Sequence, residues 1–289
     1  MQLEMEHARD KMTVLGRSVI QHGPLSDRVY LMKLHPDDVS SIVSRLEELT
    51  ATHGYSKIFA KVPDWAAMEF EDAGFRTEAE VPGFYNGRTG VRFMARYLAP
   101  WRRKPGKSRR VVEVLRTARK KGDRTPPGAC AAWPDGFVLA ELGPSECEGM
   151  AELYEKVFAS YPFPIFDPEY LRETMEDGVR YTGAFRDGTL AGLSSAEVDR
   201  EGGNAEMTDF AILPEFRGDG LAGAMLGGME RTLGRIGIPT AYTIARAVSY
   251  GMNITFARAG YRYAGTLINN THIAGGLESM NVWHKRVLG

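Results

Sequence analysis

Cysteine is nearly absent: only Cys130 and Cys147 occur in 289 residues, with no CxxC spacing between them. That scarcity excludes a disulfide framework and a zinc site of the usual ligand spacing. It leads us to expect a reducing cytoplasm and chemistry without a metal. Charge of one sign is missing too, since 36 Lys+Arg face 37 Asp+Glu for a net charge of -1. A nucleic-acid partner held by bulk charge is therefore not expected. No apolar run approaches the roughly 18 residues of a membrane span, so no membrane partner is expected. The first residues, Met-Gln-Leu-Glu-Met-Glu-His (1–7), lack the basic-then-apolar order of a secretion signal. What is present, 43% hydrophobic and 25% charged residues, suits one large globular domain or two ordinary ones. Nothing in the sequence speaks to oligomeric state.

The most informative stretch is Arg217-Gly218-Asp219-Gly220-Leu221-Ala222. Before it, Glu206 to Leu213 alternates like a half-buried strand; after it, Leu221, Met225, Leu226, Met229 and Leu233 recur as on one helix face. A strand, a glycine turn and a helix start place free N–H groups where an anion meets the positive helix end. Gly218 and Gly220 remove the β-carbons that would hold a phosphate away from that backbone.

The chain breaks most clearly between Pro100 and Gly136. Lysine or arginine takes nearly every second position from Arg102 to Arg124, opposed only by Glu113 and Asp123. Pro105-Gly106 and Pro126-Pro127-Gly128 bracket a stretch, 111–121, that can be helical. We read 101–135 as a solvated basic linker; a basic surface for a ligand phosphate or an acidic partner is the alternative. From Phe137 on, periodicity and turn signals give the order β-α-α-β-β-β-α-β-α-β-β, with a hairpin turned at Asp187-Gly188. The first hundred residues contain a faint repeat of its end. Residues 55–98, shifted by 186, bring Ile58 onto Ile244, Phe70 onto Phe256, Ala73-Gly74 onto Ala259-Gly260, Arg76 onto Arg262 and Met94 onto Met280. Where the later copy has its glycine loop, the earlier reads Leu34-His-Pro-Asp-Asp38, without glycine or arginine, and should not hold a pyrophosphate.

The Arg217–Ala222 string resembles the R/Q-x-x-G-x-G/A cradle of the GNAT superfamily of acetyl-CoA-dependent N-acetyltransferases. The match narrows with Ile-Gln-His-Gly (20–23), Asp-Arg-Val-Tyr-Leu-Met-Lys-Leu (27–34), Lys-Ile-Phe-Ala-Lys-Val-Pro (57–63), Tyr-Pro-Phe-Pro-Ile-Phe-Asp (161–167), Glu-Met-Thr-Asp-Phe-Ala (206–211) and Glu-Ser-Met-Asn-Val-Trp (278–283). Together these strings resemble the β-lysine N-acetyltransferases over nearly the whole chain. The resemblance implies an α/β GNAT fold, a mixed and mostly antiparallel central sheet flanked by helices. A degenerate half-GNAT-like N-terminal domain precedes it. The expected divisions are 1–100, a linker over 101–135, and a catalytic domain over 136–289.

By the same resemblance, Ala211, Ile212 and Leu213 offer backbone contacts to the acetyl-CoA pantetheine, and Arg217 to Ala222 hold its pyrophosphate. The N–H of Ile212 or Leu213 is the expected oxyanion donor. The acceptor amine must lose a proton: with a pKa of about 10.4 it is neutral about one part in a thousand near pH 7.4. Glu206 stands where several family members place a general-base glutamate. Asp209, three positions on, faces the other side of a regular strand unless a bulge intervenes. The family's thiolate-protonating tyrosine is replaced by Phe256. Tyr250 is the substitute, or water serves instead. Ser249 and Asn253 stand near the family's usual asparagine position, as further cofactor contacts.

Members of the family are associated with acetylating the terminal amine of β-lysine, the product of a lysine 2,3-aminomutase, to give the osmolyte Nε-acetyl-β-lysine. That small-molecule acceptor wants a cation for its carboxylate, an anion for its β-ammonium and an apolar sleeve. Arg246 is the expected carboxylate partner and Asp167 or Glu278 the ammonium partner, with Tyr161, Phe163 and Phe166 as the sleeve and Asp209 near the amine. Two other readings stay open. One is a GNAT enzyme for a polyamine, an aminoglycoside or a protein lysine; the other is a non-catalytic acetyl-CoA sensor.

Overall fold

The computed structural model describes residues 10–126, 133–159 and 161–288. Cys130 and the Pro127-Gly128 end of the basic segment lie outside them. The N-terminal half runs β1 (Lys11–Leu15), β2 (Ser18–Gly23), β3 (Arg28–Lys33), α1 (Val39–His53), β4 (Lys57–Pro63), α2 (Ala67–Asp72), β5 (Arg76–Tyr85) and β6 (Thr89–Tyr97). Helix α3 (Ser108–Gly122) follows. The C-terminal half runs β7 (Phe137–Leu142), α4 (Cys147–Val157), α5 (Pro168–Glu176), β8 (Arg180–Arg186), β9 (Thr189–Asp199), β10 (Asn204–Ile212) and α6 (Leu221–Arg235), then β11 (Thr240–Arg246), α7 (Tyr250–Arg258), β12 (Arg262–Ile273) and β13 (Gly276–Arg286). That half has the element order expected from the sequence, and it is a GNAT fold.

All thirteen described strands form one sheet, ordered β1-β2-β3-β4-β6-β5-β12-β13-β11-β10-β9-β8-β7. Outward from the β5/β12 junction the two sides have the same plan. Each has a hairpin (β5-β6 or β12-β13), then the strand before the short helix, then a parallel pair (β3/β4 or β10/β11). The repeat spaced by 186 falls on equivalent elements, for Gly74 and Gly260 end the short helices with the same φ of 83°. A left-handed φ there costs a glycine little.

Alternation along the strands decides what each face holds. In β3 and β4, Val29, Leu31, Ile58, Ala60 and Val62 bury against α1 and α2. The intervening Arg28, Tyr30, Phe59 and Lys61 turn to the opposite face, toward the other half. In the C-terminal half, Ala205, Met207 and Ala241 bury with Leu226, Met229 and Leu233 of α6, and Glu206 and Tyr242 turn the other way. An apolar floor shared by both halves, including Phe59, Phe84, Phe93, Tyr242, Leu267 and Val282, lies between. Helix α3 is more than a solvated connector: Val111, Val114 and Ala118 are buried and its main neighbour is α7, while its basic side faces out.

The halves touch most closely where Gly265 of β12 pairs with Ala79 of β5. A β-carbon at position 265 would overlap the Glu78 carbonyl oxygen and the Ala79 Cα, both backbone atoms with little room to move. Gly265→Ala should therefore cost about 1–3 kcal/mol of stability, measured by denaturant unfolding. Acetyl transfer should fall with it, because the cleft straddles this junction.

Candidate active site

Strands β10 and β11 pair in parallel only at Asn204↔Thr240, Ala205↔Ala241 and Glu206↔Tyr242, then part, although they run on to Ile212 and Arg246. The opening continues into a cleft of about 700 Å³ between the two halves. At one end lie Ile212, Arg217, Gly218, Gly220, Leu221, Ala222 and Gly223. Gly218 and Gly220 have φ of 105° and 82°, a region that side-chain-bearing residues avoid. Helix α6 starts at Gly220 without a side-chain cap, so its first N–H groups stay open. An uncapped helix start facing a glycine turn is a fit cradle for a pyrophosphate. Arg217 Nε donates to the Ile212 carbonyl at 2.9 Å, which fixes the loop to the strand end. Asp219 belongs to the loop but does not line the cleft.

The strand end narrows the choice of oxyanion donor. Ala211 is fully buried against β9, and the Leu213 N–H donates to the Ala191 carbonyl at 3.0 Å. Leu213 is thereby removed as a free donor. Backbone N–H groups alternate sides along a strand, so that of Ile212 turns toward the opening.

Beside this end stand three carboxylates. Glu206 and Glu197 are register partners on β10 and β9, so their side chains leave the same face next to each other. Asp209 joins them because the ladder slips between Thr208 and Ala211 and Asp209 takes a φ of 54°. The bulge overturns the regular-strand expectation that Asp209 faces away from Glu206. Asp209 accepts hydrogen bonds from the hydroxyls of Tyr161 and of Ser195, the latter at 2.6 Å. Burial pushes all three carboxyls above their ordinary range; Glu197 also stands in the field of Glu206 and Asp209, and Glu206 in that of Asp209. Glu206 is pulled back in part by the Lys61 ammonium and by hydrogen bonds from the Tyr242 hydroxyl and the Ile244 amide. Burial in turn lowers the Lys61 pKa against the pull of Glu206 and Glu197.

Several expected site residues have other duties. Arg246 reaches the cleft, but its guanidinium is clamped by Glu278 at 2.7 and 2.9 Å, and Lys107 adds a third contact at 3.3 Å. Against the upward push of burial, these two cations hold Glu278 below its ordinary range. Glu278 is thus taken up by two cations, and Arg246 has its charge matched by Glu278 through Nε and Nη2. Asp167 is exposed and caps α5, accepting from the Glu169 N–H at 3.0 Å. Phe166 packs with α4 and α5, whereas Tyr161 and Phe163 do line the cleft. Tyr250 turns to α3, its hydroxyl bonded to Glu113 and its ring under Arg110 at 4.2 Å, outside the cleft. This corrects its assignment as the acid. Ser249 lines the cleft, but the Asn253 side chain is buried and fully bonded. It donates to the Arg246 and Ser249 carbonyls and accepts from Asn281 and Trp283. Asn253 fixes the turn before α7 and does not reach a cofactor.

Sequence reading missed Glu197, Lys61, Arg28 and Tyr30. Glu197 carried a signal, since it and Glu206 lie equally far from the middle of the Arg200–Gly203 turn. The others lie in the strings 27–34 and 57–63 of the N-terminal half, which mark the family but do not point to a role.

The splayed strand pair, the glycine cradle and the carboxylates beside them define an acetyl-CoA-dependent N-acetyltransferase of the GNAT class. Residues 147–261 match the Acetyltransferase (GNAT) family. Over 276 residues the chain is 35% identical to the Beta-lysine N(6)-acetyltransferase of Methanococcus maripaludis, covering 96% of this chain and 98% of that one. It is 36% identical over 218 residues to the N-acetyltransferase YodP of Bacillus subtilis, covering 74% and 76%. A further Beta-lysine N(6)-acetyltransferase, from Methanosarcina mazei, is 29% identical over 84% of this chain. The chain belongs to the β-lysine N-acetyltransferase family.

Two outcomes follow from the site's backbone and charge. Gly220→Val forces a β-branched residue to φ 82°, a strain that should weaken acetyl-CoA binding about 10- to 100-fold by calorimetry. Glu197 has a folded-state pKa above its unfolded value. Its carboxyl therefore favours the folded state at low pH, and that contribution is lost as pH rises through the folded pKa. Glu197→Gln should raise Tm relative to wild type at pH 9 and bring no such gain at pH 4.

Proposed function

We propose that the chain moves the acetyl group of acetyl-CoA to the terminal amine of L-β-lysine, giving Nε-acetyl-β-lysine, by direct attack in a ternary complex. One observation carries this reading: Glu197, Glu206 and Asp209 share a cleft with the glycine cradle. The cleft also holds arginines, but around Glu197 and Glu206 the cation in the field is Lys61 alone, and such an acidic pole suits an ammonium, which a diamine supplies. Two relatives of the chain bear the β-lysine name. The product suits a neutral osmolyte, since capping the terminal amine leaves one ammonium and one carboxylate. The reading also implies supply of β-lysine by a lysine 2,3-aminomutase, and action in the cytoplasm. We also propose the division into a degenerate copy over 1–100, a connector over 101–135 and a catalytic unit over 136–289.

Acetyl-CoA, held at the Arg217–Ala222 cradle, supplies the activated acyl group. Glu206 accepts the proton of the terminal ammonium, directly or through one water, as the new N–C bond forms and the C–S bond breaks. Its raised pKa brings it closer to the ammonium's and so eases the transfer. Glu197 and Asp209 hold positive charge beside it, and the Ile212 N–H faces the carbonyl oxygen on which negative charge develops.

A thiol-release assay with L-β-lysine, lysine and spermidine tests the reading, with L-β-lysine expected to have the highest kcat/KM. Absence of turnover with all three, despite acetyl-CoA binding, overturns it. Glu206→Gln should lower kcat about 10²- to 10⁴-fold near neutral pH and abolish the acid limb of the pH profile. It should recover partly at higher pH, where more of the amine is already neutral. An undiminished rate at neutral pH removes Glu206 as the base.

A further inference from the structure

Arg28 enters the cleft from β3 of the N-terminal half and is only 4% exposed. Its Nη1 donates to the Asn270 carbonyl at 2.7 Å and to Thr271 Oγ1 at 3.2 Å; its Nη2 donates to Gln21 Oε1 at 3.3 Å. Every one of those acceptors is neutral. The group lies over the Tyr30 and Phe59 rings, 5.0 and 5.5 Å from their centroids.

Among the described residues no carboxylate reaches ion-pair distance of Arg28, and its Nε and the neighbouring Gln21 Nε2 are buried donors without an acceptor. The contrast lies within the same molecule, where Arg102 is paired with Asp27 and Arg246 with Glu278. Isolating a guanidinium from water without an anion is costly, and such sites persist where a ligand supplies the missing charge. Burial lowers the Arg28 pKa to about 10, so it remains a cation at neutral pH. Tyr30 stands between the two poles of the cleft, its phenol in the fields of both Glu206 and Arg28.

We propose that Arg28, supported by Gln21, receives the carboxylate of the acceptor amino acid, so that the N-terminal half reads the acid end while Glu206 takes the reactive amine. This rests on the amino-acid acceptor proposed above. A planar fork of N–H donors fits a carboxylate in two-point fashion, which a lysine does not. The two halves thus divide the work: the C-terminal half holds the donor and the reactive amine, and the N-terminal half holds the acceptor's carboxylate. The strand face that carries Arg28 is the one an intact copy would turn to its own substrate.

The test compares L-β-lysine with pentane-1,4-diamine, the same chain without the carboxylate, in wild type, Arg28→Gln and Gln21→Leu. In wild type the diamine should have a kcat/KM about 10- to 100-fold lower, the range of a charged hydrogen-bonded contact. Arg28→Gln should raise the KM for L-β-lysine by a similar factor while leaving the diamine's kcat/KM and acetyl-CoA affinity near wild type. Gln21→Leu should give a smaller loss, again confined to L-β-lysine. If Arg28→Gln does not fold, the wild-type ratio and Gln21→Leu decide. Equal wild-type kcat/KM for the two acceptors, or equal losses on both in the variants, overturns the Arg28 assignment and leaves the acceptor reading standing. No wild-type turnover of L-β-lysine removes that reading and this inference with it.

Discussion

The cleft depends on how one irregular stretch of β12 finds its hydrogen-bond partners. Between Leu267 and Thr271 the β12/β13 ladder slips, which frees peptide groups that a regular sheet would pair. Side chains of the N-terminal half and the segment after it take them up. Lys57 Nζ donates to the Ile268 carbonyl at 2.8 Å, and Glu78 accepts from the Ile268 N–H at 2.8 Å. Arg102 Nε donates to the Asn269 carbonyl, and the Asn269 side chain donates back to the carbonyls of Arg102 and Lys104. Lys57 and Glu78 are themselves a buried ion pair at 2.9 Å. Removing one partner from such a pair leaves an uncompensated charge, a cost of about 3–5 kcal/mol. These bonds hold the two half-sheets as one sheet, and every residue that the N-terminal half brings to the cleft depends on them.

That dependence gives the N-terminal half a physical role. Its would-be cradle has no glycine. Instead Asp38 accepts from the Arg17 amide at 2.8 Å and the Ser18 hydroxyl at 2.7 Å, so an anion has no place there. A β-carbon on Gly16 would run into Asp38, so loop and carboxylate fill each other's space. The strand face beside it carries Arg28, Tyr30 and Lys61 into the cleft.

How far the sequence could be read follows from the range of the interactions involved. Element order in the C-terminal half, the turn at Asp187-Gly188 and the open helix start at Gly220 are local. Each depends on a few neighbouring residues, and turn chemistry or period betrays them. The central Asp187 and Gly188 have φ of 49° and 77°, as a two-residue hairpin turn requires. The acceptor side is not local. The direction of Asp209 stays open in the sequence because a bulge is a property of two strands together, and the Arg246 charge is hard to read because its partner, Glu278, is 32 positions away. Tyr250 looked free in sequence since nothing there shows that α3 returns to cover it. The cleft cations Arg28 and Lys61 need the whole inter-half geometry before either acquires a role.

The phenylalanine at 256 becomes understandable once the two proton transfers are compared by size. Deprotonating an ammonium with pKa about 10.4 near pH 7.4 costs about 4 kcal/mol, whereas a thiol of pKa about 8.5 holds its proton at that pH by only about 1.5 kcal/mol. The larger demand falls on the incoming amine, and the cleft collects Glu197, Glu206 and Asp209 on that side. On the leaving side Phe256 is almost fully buried, edge-on to Phe210 and Tyr261, with ring centroids 5.7 and 5.0 Å away. A phenyl ring there packs without a hydroxyl that would need a partner. Tyr261, in the same cluster, shows what that need entails: burial pushes its phenol well above its ordinary pKa, and its buried hydroxyl makes no hydrogen bond. Forgoing an acid for the departing thiolate leaves unmet only about a quarter of the total proton-transfer demand. Under the proposed mechanism, forgoing the base would leave the larger part unmet, in keeping with the carboxylates gathered in this cleft.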